Sequence, residues 1–173
     1  PESNKDIVGT VLTNWGVEKK LSSENKVLHR ANVGDRNVKS MMIDKNSKIG
    51  GENSGHIIIL PTNPYGDAII NALKILNLIN ENQNILFEFS KKIKKTPKVS
   101  RDLYIEKSIL LDEGVLSEIN NIKSKFIDSY IVVRPSGTED VIRVHVESST
   151  KKNARKIVNE IEGMLESFIV EHS

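Results

Sequence analysis

Residues 132–148, VVRPSGTEDVIRVHVES, place two apolar, strand-forming runs on either side of a loop rich in hydroxyl groups. In the second run Ile142, Val144 and Val146 alternate with polar residues, which is the period of a strand whose sheet has one covered face. The residues predicted to lie on the other face are Arg143, His145 and Glu147. Residues 134–140 form a longer connection than the two-residue turn that would join such strands. The loop is therefore expected to have a function of its own.

Two helical patterns flank this strand pair. Asp112 is placed to cap the first helix, and Thr150 begins the second. Each helix carries one apolar stripe, formed by Val115, Ile119 and Ile122 in the first and by Ile157, Ile161, Met164, Leu165 and Phe168 in the second. With a further strand at 99–105, residues 97–173 predict a small α+β domain, an antiparallel-rich sheet covered by two helices.

The first 96 residues alternate strand and helix patterns, which predicts an α/β layer. Strands are predicted at 26–33 and 56–60, and helices at 13–23, 34–46, 67–79 and 84–95. The helix at 34–46 turns Val38, Met41 and Met42 inward. The helix at 67–79 is apolar nearly all round, so we expect it to be buried on most of its surface. Pro97 ends the preceding helix and marks the predicted domain boundary, between 1–96 and 97–173.

The composition excludes several classes of protein. The longest apolar runs, HIIIL and YIVV, are far shorter than the roughly 20 residues that cross a bilayer, and the first residues lack the basic start and apolar core of a signal peptide. There is no cysteine, which excludes thiolate chemistry and is compatible with the cytoplasmic location that we expect. The chain begins with Pro1 and resembles a segment from the middle of a longer protein.

Net charge gives little support to nucleic-acid binding. The formal charge is +2, and the basic run KKIKKTPK at 91–98 has no aromatic residues interleaved for base stacking. The run is either a solvated helix end before a linker or a patch for nucleic acid or an acidic partner. The first interpretation predicts no nucleic-acid partner.

The loop at 134–140 has the residue types that hold a phosphate dianion. Arg134 offers a planar fork that matches two phosphate oxygens, and Arg143 adds a second guanidinium if it faces the same end of the sheet. Ser136 and Thr138 add hydroxyl groups, and Gly137 permits the positive φ that turns successive N–H groups toward one anion. We call these five residues the phosphate cradle. The alternative is an ordinary polar hairpin loop with Arg134 on its rim.

GGENSGH, residues 50–56, precedes a buried strand and suits a sugar contact. The Glu52 carboxylate can accept hydrogen bonds from two neighbouring sugar hydroxyls or from an ammonium group, and Ser54 adds a hydroxyl. His56 can donate or shuttle a proton near such a ligand. The alternatives are a solvated loop acid and a loop histidine that has its own hydrogen bonds.

VGDR, residues 33–36, is a third candidate. Arg36 can reach a phosphate, or Asp35 can cap the following helix while Arg36 stays in solvent.

VGDR, GGENSGH and RPSGTEDVIRV, in this order and separation, resemble the loops of the α-D-phosphohexomutase superfamily, most of all in its phosphoglucosamine mutase branch. The resemblance implies the end of the family's sugar-binding third domain at 1–96 and its phosphate-binding fourth domain at 97–173. It implies a sugar site formed by Arg36, Glu52, Asn53, Ser54 and Gly55. It implies His56 as a candidate proton shuttle. It also implies a phosphate site formed by Arg134, Ser136, Gly137, Thr138 and Arg143.

The resemblance also implies a reaction. Members move a phosphoryl group between the 6- and 1-positions of a hexose, here glucosamine phosphate, through a bisphosphorylated intermediate such as glucosamine 1,6-bisphosphate. The family's phosphoserine loop (SHNP) and Mg²⁺ loop (DGDxDR) are not in this sequence, so Mg²⁺ is expected to bind in preceding domains and the chain alone is expected to be inactive. A full-length homodimer is also expected.

Two residues differ from the usual family motifs. Asn53 stands where glutamine is usual, and Asp140 where proline is frequent. A phosphomannomutase or phosphoglucomutase, a free-standing sugar-phosphate binding module and a small nucleic-acid binder are the alternative functions.

Overall fold

The computed structural model describes residues 6–172, which divide after Lys95 into two compact units. Each unit has its own sheet, with four strands in the first and three in the second. The two units are described separately below. Among the described residues, no helix combines the length and the apolar character that crossing a bilayer requires.

The first unit is a mixed sheet in the order β2-β1-β3-β4. Its elements are β1 Ile7–Thr10, α1 Trp15–Ser22, β2 Leu28–Ala31, α2 Asp35–Asp44, β3 Ile49–Gly51, β4 Ile57–Ile59, α3 Ala68–Glu81 and α4 Ile85–Lys92. β1 is parallel to β2 and to β3, and β4 is antiparallel to β3. The α/β class predicted for this part is confirmed. β1 is a strand that the sequence patterns did not predict, because four residues with a glycine give no clear period.

Helix α2 covers one face of this sheet. Val38 and Met42 are fully buried there together with Val8, as the helical period predicted. Gly50 on β3 lies directly beneath them, since a Cβ atom at this position would come within 2.4 Å of Met42 Sδ and 2.8 Å of Val38 Cγ1. The glycine therefore sets how closely the helix approaches the strand.

Helix α3 differs from its prediction. Its only buried residue is Asn71, and its exposed apolar side chains are Ile69, Ile70, Leu73, Ile75, Leu76 and Leu78. The prediction of a helix buried on most of its surface is therefore wrong for the described residues. A polar contact attaches the helix instead, because Asn71 donates to Ile57 O at 2.8 Å and accepts from Asn63 at 2.9 Å.

The second unit is an antiparallel sheet in the order β5-β7-β6, with β7 central. Its elements are β5 Lys98–Leu103, a 3₁₀ turn at Lys107–Leu111, α5 Glu113–Lys125, β6 Tyr130–Pro135, β7 Ile142–Glu147 and α6 Lys151–His172. Asp112 Oδ1 accepts from the N–H groups of Gly114 and Val115, which confirms the predicted cap. The core contains the buried stripe residues of both helices and Ile142, Val144 and Val146 of β7.

The second face of this sheet is less open than the alternation predicted. His145 and Glu147 are buried, and Arg143 is half-buried. His145 Nδ1 lies 2.8 Å from Ser100 Oγ, and His145 Nε2 lies 3.0 Å from Glu147 Oε1. Polar side chains can be buried when they satisfy one another in this way, so alternation alone did not distinguish a solvated face from a hydrogen-bonded one.

Gly50→Ala is expected to destabilise the first unit by about 1–3 kcal/mol, because the added methyl group overpacks the contact with Met42 and Val38. Urea denaturation measures the change. Gly163→Ala is the control, since its added Cβ meets no atom within 4 Å and removing a helical glycine should stabilise by about 0.5–1 kcal/mol. Equal effects of the two substitutions would contradict the packing argument.

Candidate functional site

The segments that follow β1, β2 and β3 lie at one edge of the sheet in the first unit. β1, β2 and β3 run parallel, so the segments after their carboxyl ends lie on the same side of the sheet. Two of these segments are the predicted site loops, VGDR after β2 and GGENSGH at the end of β3. The carboxyl edge of parallel strands is where α/β proteins place their ligands.

Glu52 joins these two loops. Its Oε1 accepts a hydrogen bond of 2.9 Å from the backbone N–H of Gly34, the residue that precedes α2. Gly34 has φ of 122°, a backbone conformation that favours glycine. Among the described residues Glu52 Oε2 has no hydrogen-bond partner, so one carboxylate oxygen orders the site while the other can accept from a ligand hydroxyl.

The tip of the GGENSGH loop is exposed. Asn53, Ser54 and Gly55 all face solvent, and Gly55 has φ of 99°. Gly51, at the start of the loop, is needed for close packing of the backbone, because a Cβ atom there would lie 2.8 Å from His56 O. The exposed loop can meet a ligand, and its glycines are also needed by the turn itself.

His56 faces the interior. Its Nε2 is buried without a hydrogen-bond partner among the described residues, and the ring packs where a Cβ on Gly66 would lie. The ring therefore fixes the segment around Gly66 against the loop. Proton transfer by His56 stays a prediction, and this conformation directs Nε2 away from solvent.

Arg36 is exposed on the first turn of α2. The helix cap is Gly34, not Asp35, whose carboxylate accepts from the Arg36 N–H at 2.8 Å. Asp35 therefore stabilises the first turn without capping it. One turn further on, Lys39 Nζ lies 4.8 Å from the ring centre of exposed Tyr65.

In the second unit the two predicted arginines are neighbours. Arg134 on β6 and Arg143 on β7 are paired directly across the two strands. Burial lowers the pKa of Arg134 below its usual value, and repulsion from Arg143 lowers it further, whereas Asp102 acts in the opposite direction. The guanidinium groups are thus close enough to interact, as one anion-binding site requires.

Ser136 organises the turn between these strands. Only 3% of the residue is exposed, its N–H donates to Val141 O at 2.9 Å, and its Oγ accepts from the N–H groups of Thr138 and Glu139 at 3.4 and 3.3 Å. The hydroxyl group is therefore engaged in the loop itself. The Ser136 hydroxyl was predicted to bind the phosphate, but in the structure it already accepts hydrogen bonds from two backbone N–H groups of the loop.

Gly137 corrects a second expectation. The glycines with positive φ are Gly34, Gly55 and Gly66, so Gly137 does not have the positive φ that was predicted to form an anion nest. A Cβ at Gly137 would meet no atom within 4 Å. Gly137 and Thr138 are both exposed, and a ligand can approach them from solvent.

The two guanidinium groups have different partners. Arg143 Nη2 lies 2.6 Å from Glu139 Oε2, and Arg143 Nε lies 3.7 Å from Asp102 Oδ2. Arg134 makes one weak hydrogen bond, 3.4 Å to Pro135 O, and no ion pair with the described residues. Glu139 and Asp102 were not among the predicted site residues. Sequence patterns give neither the rotamer of a loop glutamate nor the residue that lies opposite an arginine on a neighbouring strand.

Comparison with known proteins identifies related chains. The family model for phosphoglucomutase/phosphomannomutase α/β/α domain III matches residues 1–96, and the model for the C-terminal domain of the same family matches residues 75–164. Phosphoglucosamine mutases from Thermotoga sp. (strain RQ2) and Chlamydia trachomatis are 37% and 33% identical over 93% and 96% of this chain. The chain spans 38% and 37% of their lengths.

Solved structures show the same fold. N-acetylphosphoglucosamine mutase from Aspergillus fumigatus, in complex with GlcNAc-6P and magnesium, matches with a TM-score of 0.76 at 18% identity over 92% of this chain and 41% of that one. A phosphoglucomutase/phosphomannomutase family protein from Burkholderia thailandensis matches with a TM-score of 0.70 at 14% identity over 95% of this chain and 38% of that one.

Glu52→Ala is expected to loosen the start of α2, because the Gly34 N–H loses its charged acceptor. Hydrogen bonds to charged groups contribute about 1.5–3 kcal/mol, so exchange of the Gly34 amide should accelerate about tenfold or more. Amide hydrogen exchange followed by NMR measures this rate. Ser54→Ala, at an exposed residue of the same loop, should leave the rate unchanged. A Gly34 amide equally protected in both variants would contradict the role of Glu52.

Proposed function

Because the chain belongs to the phosphoglucomutase/phosphomannomutase family, we propose that it is the sugar- and phosphate-binding part of a phosphoglucosamine mutase. The observation that carries the proposal is the direct pairing of Arg134 with Arg143 beside a turn organised by Ser136. This pairing lies within the region that matches the family's C-terminal domain. The full-length enzyme would interconvert glucosamine 6-phosphate and glucosamine 1-phosphate through glucosamine 1,6-bisphosphate.

The phosphate cradle would hold the phosphate group that is not reacting. Arg134, whose guanidinium makes only one weak hydrogen bond to Pro135 O, offers a planar fork for two phosphate oxygens, and Arg143 lies beside it. Gly137 and Thr138 are exposed, so a phosphate group could approach the Gly137 N–H and the Thr138 hydroxyl from solvent. Ser136 would act mainly by keeping this turn closed, since its hydroxyl group already accepts two backbone hydrogen bonds.

The GGENSGH loop would bind the sugar. The free Oε2 of Glu52 can accept from a sugar hydroxyl or from the ammonium group of a hexosamine. Asn53, Ser54 and Gly55 offer polar groups from the exposed tip, and Arg36 stands on the helix next to them. His56 is proposed as a proton shuttle only if its ring rotates away from Gly66 when the ligand binds.

The preference for an amino sugar rests on two observations. The curated relatives named above are phosphoglucosamine mutases, and the sugar loop carries a half-buried carboxylate that favours a cation. The same carboxylate also accepts hydrogen bonds from the hydroxyl groups of a neutral sugar, but only a hexosamine adds the attraction of an ammonium group to it. This chain spans less than two fifths of such a relative. That share favours a part of a longer enzyme over a module that acts alone.

Magnesium and the phosphoryl donor belong to other parts of the proposed enzyme. Among the side chains that the structure describes, no three acidic or histidine residues gather in a group that could hold a metal ion. The proposal assigns no metal to the residues of this chain, and none of its steps passes through one. Their proposed task is to bind and orient a sugar phosphate. Assembly as a homodimer and a cytoplasmic location remain predictions.

Arg134→Ala is expected to weaken binding of glucosamine 6-phosphate to the full chain by about 10- to 100-fold, because a bidentate charged contact is lost. Isothermal titration calorimetry measures the affinity. Arg155→Ala removes an exposed arginine on α6 and serves as the matched control, with unchanged affinity expected. Equal affinities of the wild type and Arg134→Ala would refute the phosphate cradle.

The sugar loop has its own test. Glu52→Gln keeps the shape of the side chain but removes its charge, so it should weaken glucosamine 6-phosphate more than glucose 6-phosphate. The same calorimetric titration with both ligands gives the ratio of affinities. Asn53→Ala, at an exposed residue without a charge, is the control for this ratio. An unchanged ratio of the two affinities in Glu52→Gln would show that Glu52 does not recognise the amino group.

A further inference from the structure

One face of the sheet in the first unit has an uncovered apolar strip, and helix α3 stands beside it. We propose that this strip, here called the open groove, holds an amphipathic helix formed by residues that precede Pro1 in the full-length protein. The inference rests on the part of the proposed function that makes this chain the end of a longer enzyme. It assigns a packing surface, and it involves neither the phosphate cradle nor the exposed tip of the sugar loop.

Alternation along the strands separates the two faces of this sheet. Val8 packs with α2 on the first face, so the side chain of its neighbour Ile7 points to the second face. Strand register then extends this face across the sheet, because Ile7 pairs with Ile49 and Ile49 pairs with Ile59. Three isoleucines therefore form a continuous apolar row across β1, β3 and β4.

This apolar row is incompletely covered. Ile49 is 46% exposed although β3 is an interior strand of the sheet. Parallel strands are normally packed against helices on both faces, because the connections between them are helical crossovers. The first face follows this rule through α2, whereas the second face leaves an interior isoleucine in solvent. In the part of the chain that the structure describes, the second face thus lacks a helix over Ile49.

Helices α1 and α3 border the uncovered strip from its two sides. α1 lies on the β2 side, where Glu18 Oε2 is 2.8 Å from Arg30 Nη2. Arg30 belongs to the second face because it lies opposite Gly9, two residues after Ile7. α3 lies on the β4 side, to which Asn71 attaches it. The strip between them is two strands wide, about 10 Å, which is the diameter of one α-helix.

The wall that α3 presents to the strip is mainly apolar. A groove of about 550 Å³ is lined there by Ile59 of β4 and by Ile70, Leu73, Lys74, Asn77 and Leu78 of α3. An exposed apolar patch of this kind, with polar groups among its lining residues, marks a packing surface. An occupant with an apolar stripe and a polar face satisfies both kinds of lining residue, and an amphipathic helix has this form.

Connectivity selects the occupant. This chain spans less than two fifths of the curated relatives named above, so most of the proposed enzyme lies before β1. β1 begins at Ile7, within the apolar row, and a helix is joined to the following strand of an α/β unit by about 2–6 residues. A helix that precedes β1 can therefore reach the open groove directly. The first face is not available to it, because α2 already buries Val8 and Gly50 there.

Photo-crosslinking in the full-length protein identifies the occupant. p-Benzoylphenylalanine in place of Leu73, on the wall of the groove, should link on irradiation to a peptide within about 25 residues before Pro1 of the same chain, the length of one helix and its connections. Peptide mass spectrometry locates the link. The same photoreactive residue in place of Ile43, which is 65% exposed on α2, is the matched control and should not link to that peptide. A link from position 73 to a second copy, to a more distant segment or to no peptide would overturn the inference.

Cysteine reactivity in the full-length protein measures how well the groove is covered. The 173 residues contain no cysteine, so Ile49→Cys places a single thiol of this chain in the apolar row. This thiol should react with a maleimide at least about 100-fold more slowly than the thiol of Ile43→Cys, because a covered side chain reacts only when its packing opens. Mass spectrometry of the labelled peptides separates these thiols from any elsewhere in the protein. Equal rates, or protection of Ile49→Cys that depends on protein concentration, would contradict an intramolecular helix.

These experiments fail separately from the test of the proposed function. If the groove is open in the full-length protein while Arg134→Ala still weakens binding of glucosamine 6-phosphate, the inference is wrong and the phosphate cradle stands. If the link from position 73 forms as expected while Arg134→Ala leaves the affinity unchanged, the packing of the preceding helix holds and the cradle is wrong.

Discussion

The pairing of Arg134 with Arg143 across β6 and β7 is the constraint on which the second unit depends. Burial of Arg134 lowers its pKa, and repulsion from the neighbouring Arg143 lowers it further. The strands hold the pair together because the opposite face of the central strand is packed against α5 and α6 through fully buried branched side chains. Burial of that core, together with the Glu139 and Asp102 carboxylates beside Arg143, keeps the two guanidinium groups in place without a ligand.

The sugar loop is held by different physical means. Its position follows from parallel strands whose carboxyl ends share one edge of a sheet, and from the hydrogen bond between Glu52 and the Gly34 N–H. A core of small size supports this edge, and Gly50 lets α2 approach it closely. The two units therefore differ in how they prepare a site: backbone donors and one carboxylate in the first, and two charged side chains in the second. Each arrangement suits the proposed ligand group, hydroxyl or ammonium groups in one and a phosphate in the other.

Polar side chains mark where interpretation of the sequence failed. Alternation along β7 placed His145 and Glu147 on an open face, but both are buried in a hydrogen-bonded chain that includes Ser100 on the adjacent strand. Apolar character placed α3 in the interior, but only its Asn71 is buried. In both cases the local pattern was identified correctly and its surroundings were not. Which side chains meet across strands depends on register, and sequence periodicity does not give register.

The sequence by itself determined the class of both units, the helix cap at Asp112, the apolar stripes of α5 and α6, and the loops that carry the candidate site residues, because these depend on local geometry and on the period of apolar residues. Only the tertiary structure decided that Glu52 serves Gly34, that Ser136 closes its own turn and that Glu139 and Asp102 share Arg143. Those contacts depend on rotamers, on strand register and on competition among several acceptors for one donor, and such competition is resolved only when all the groups are present in three dimensions.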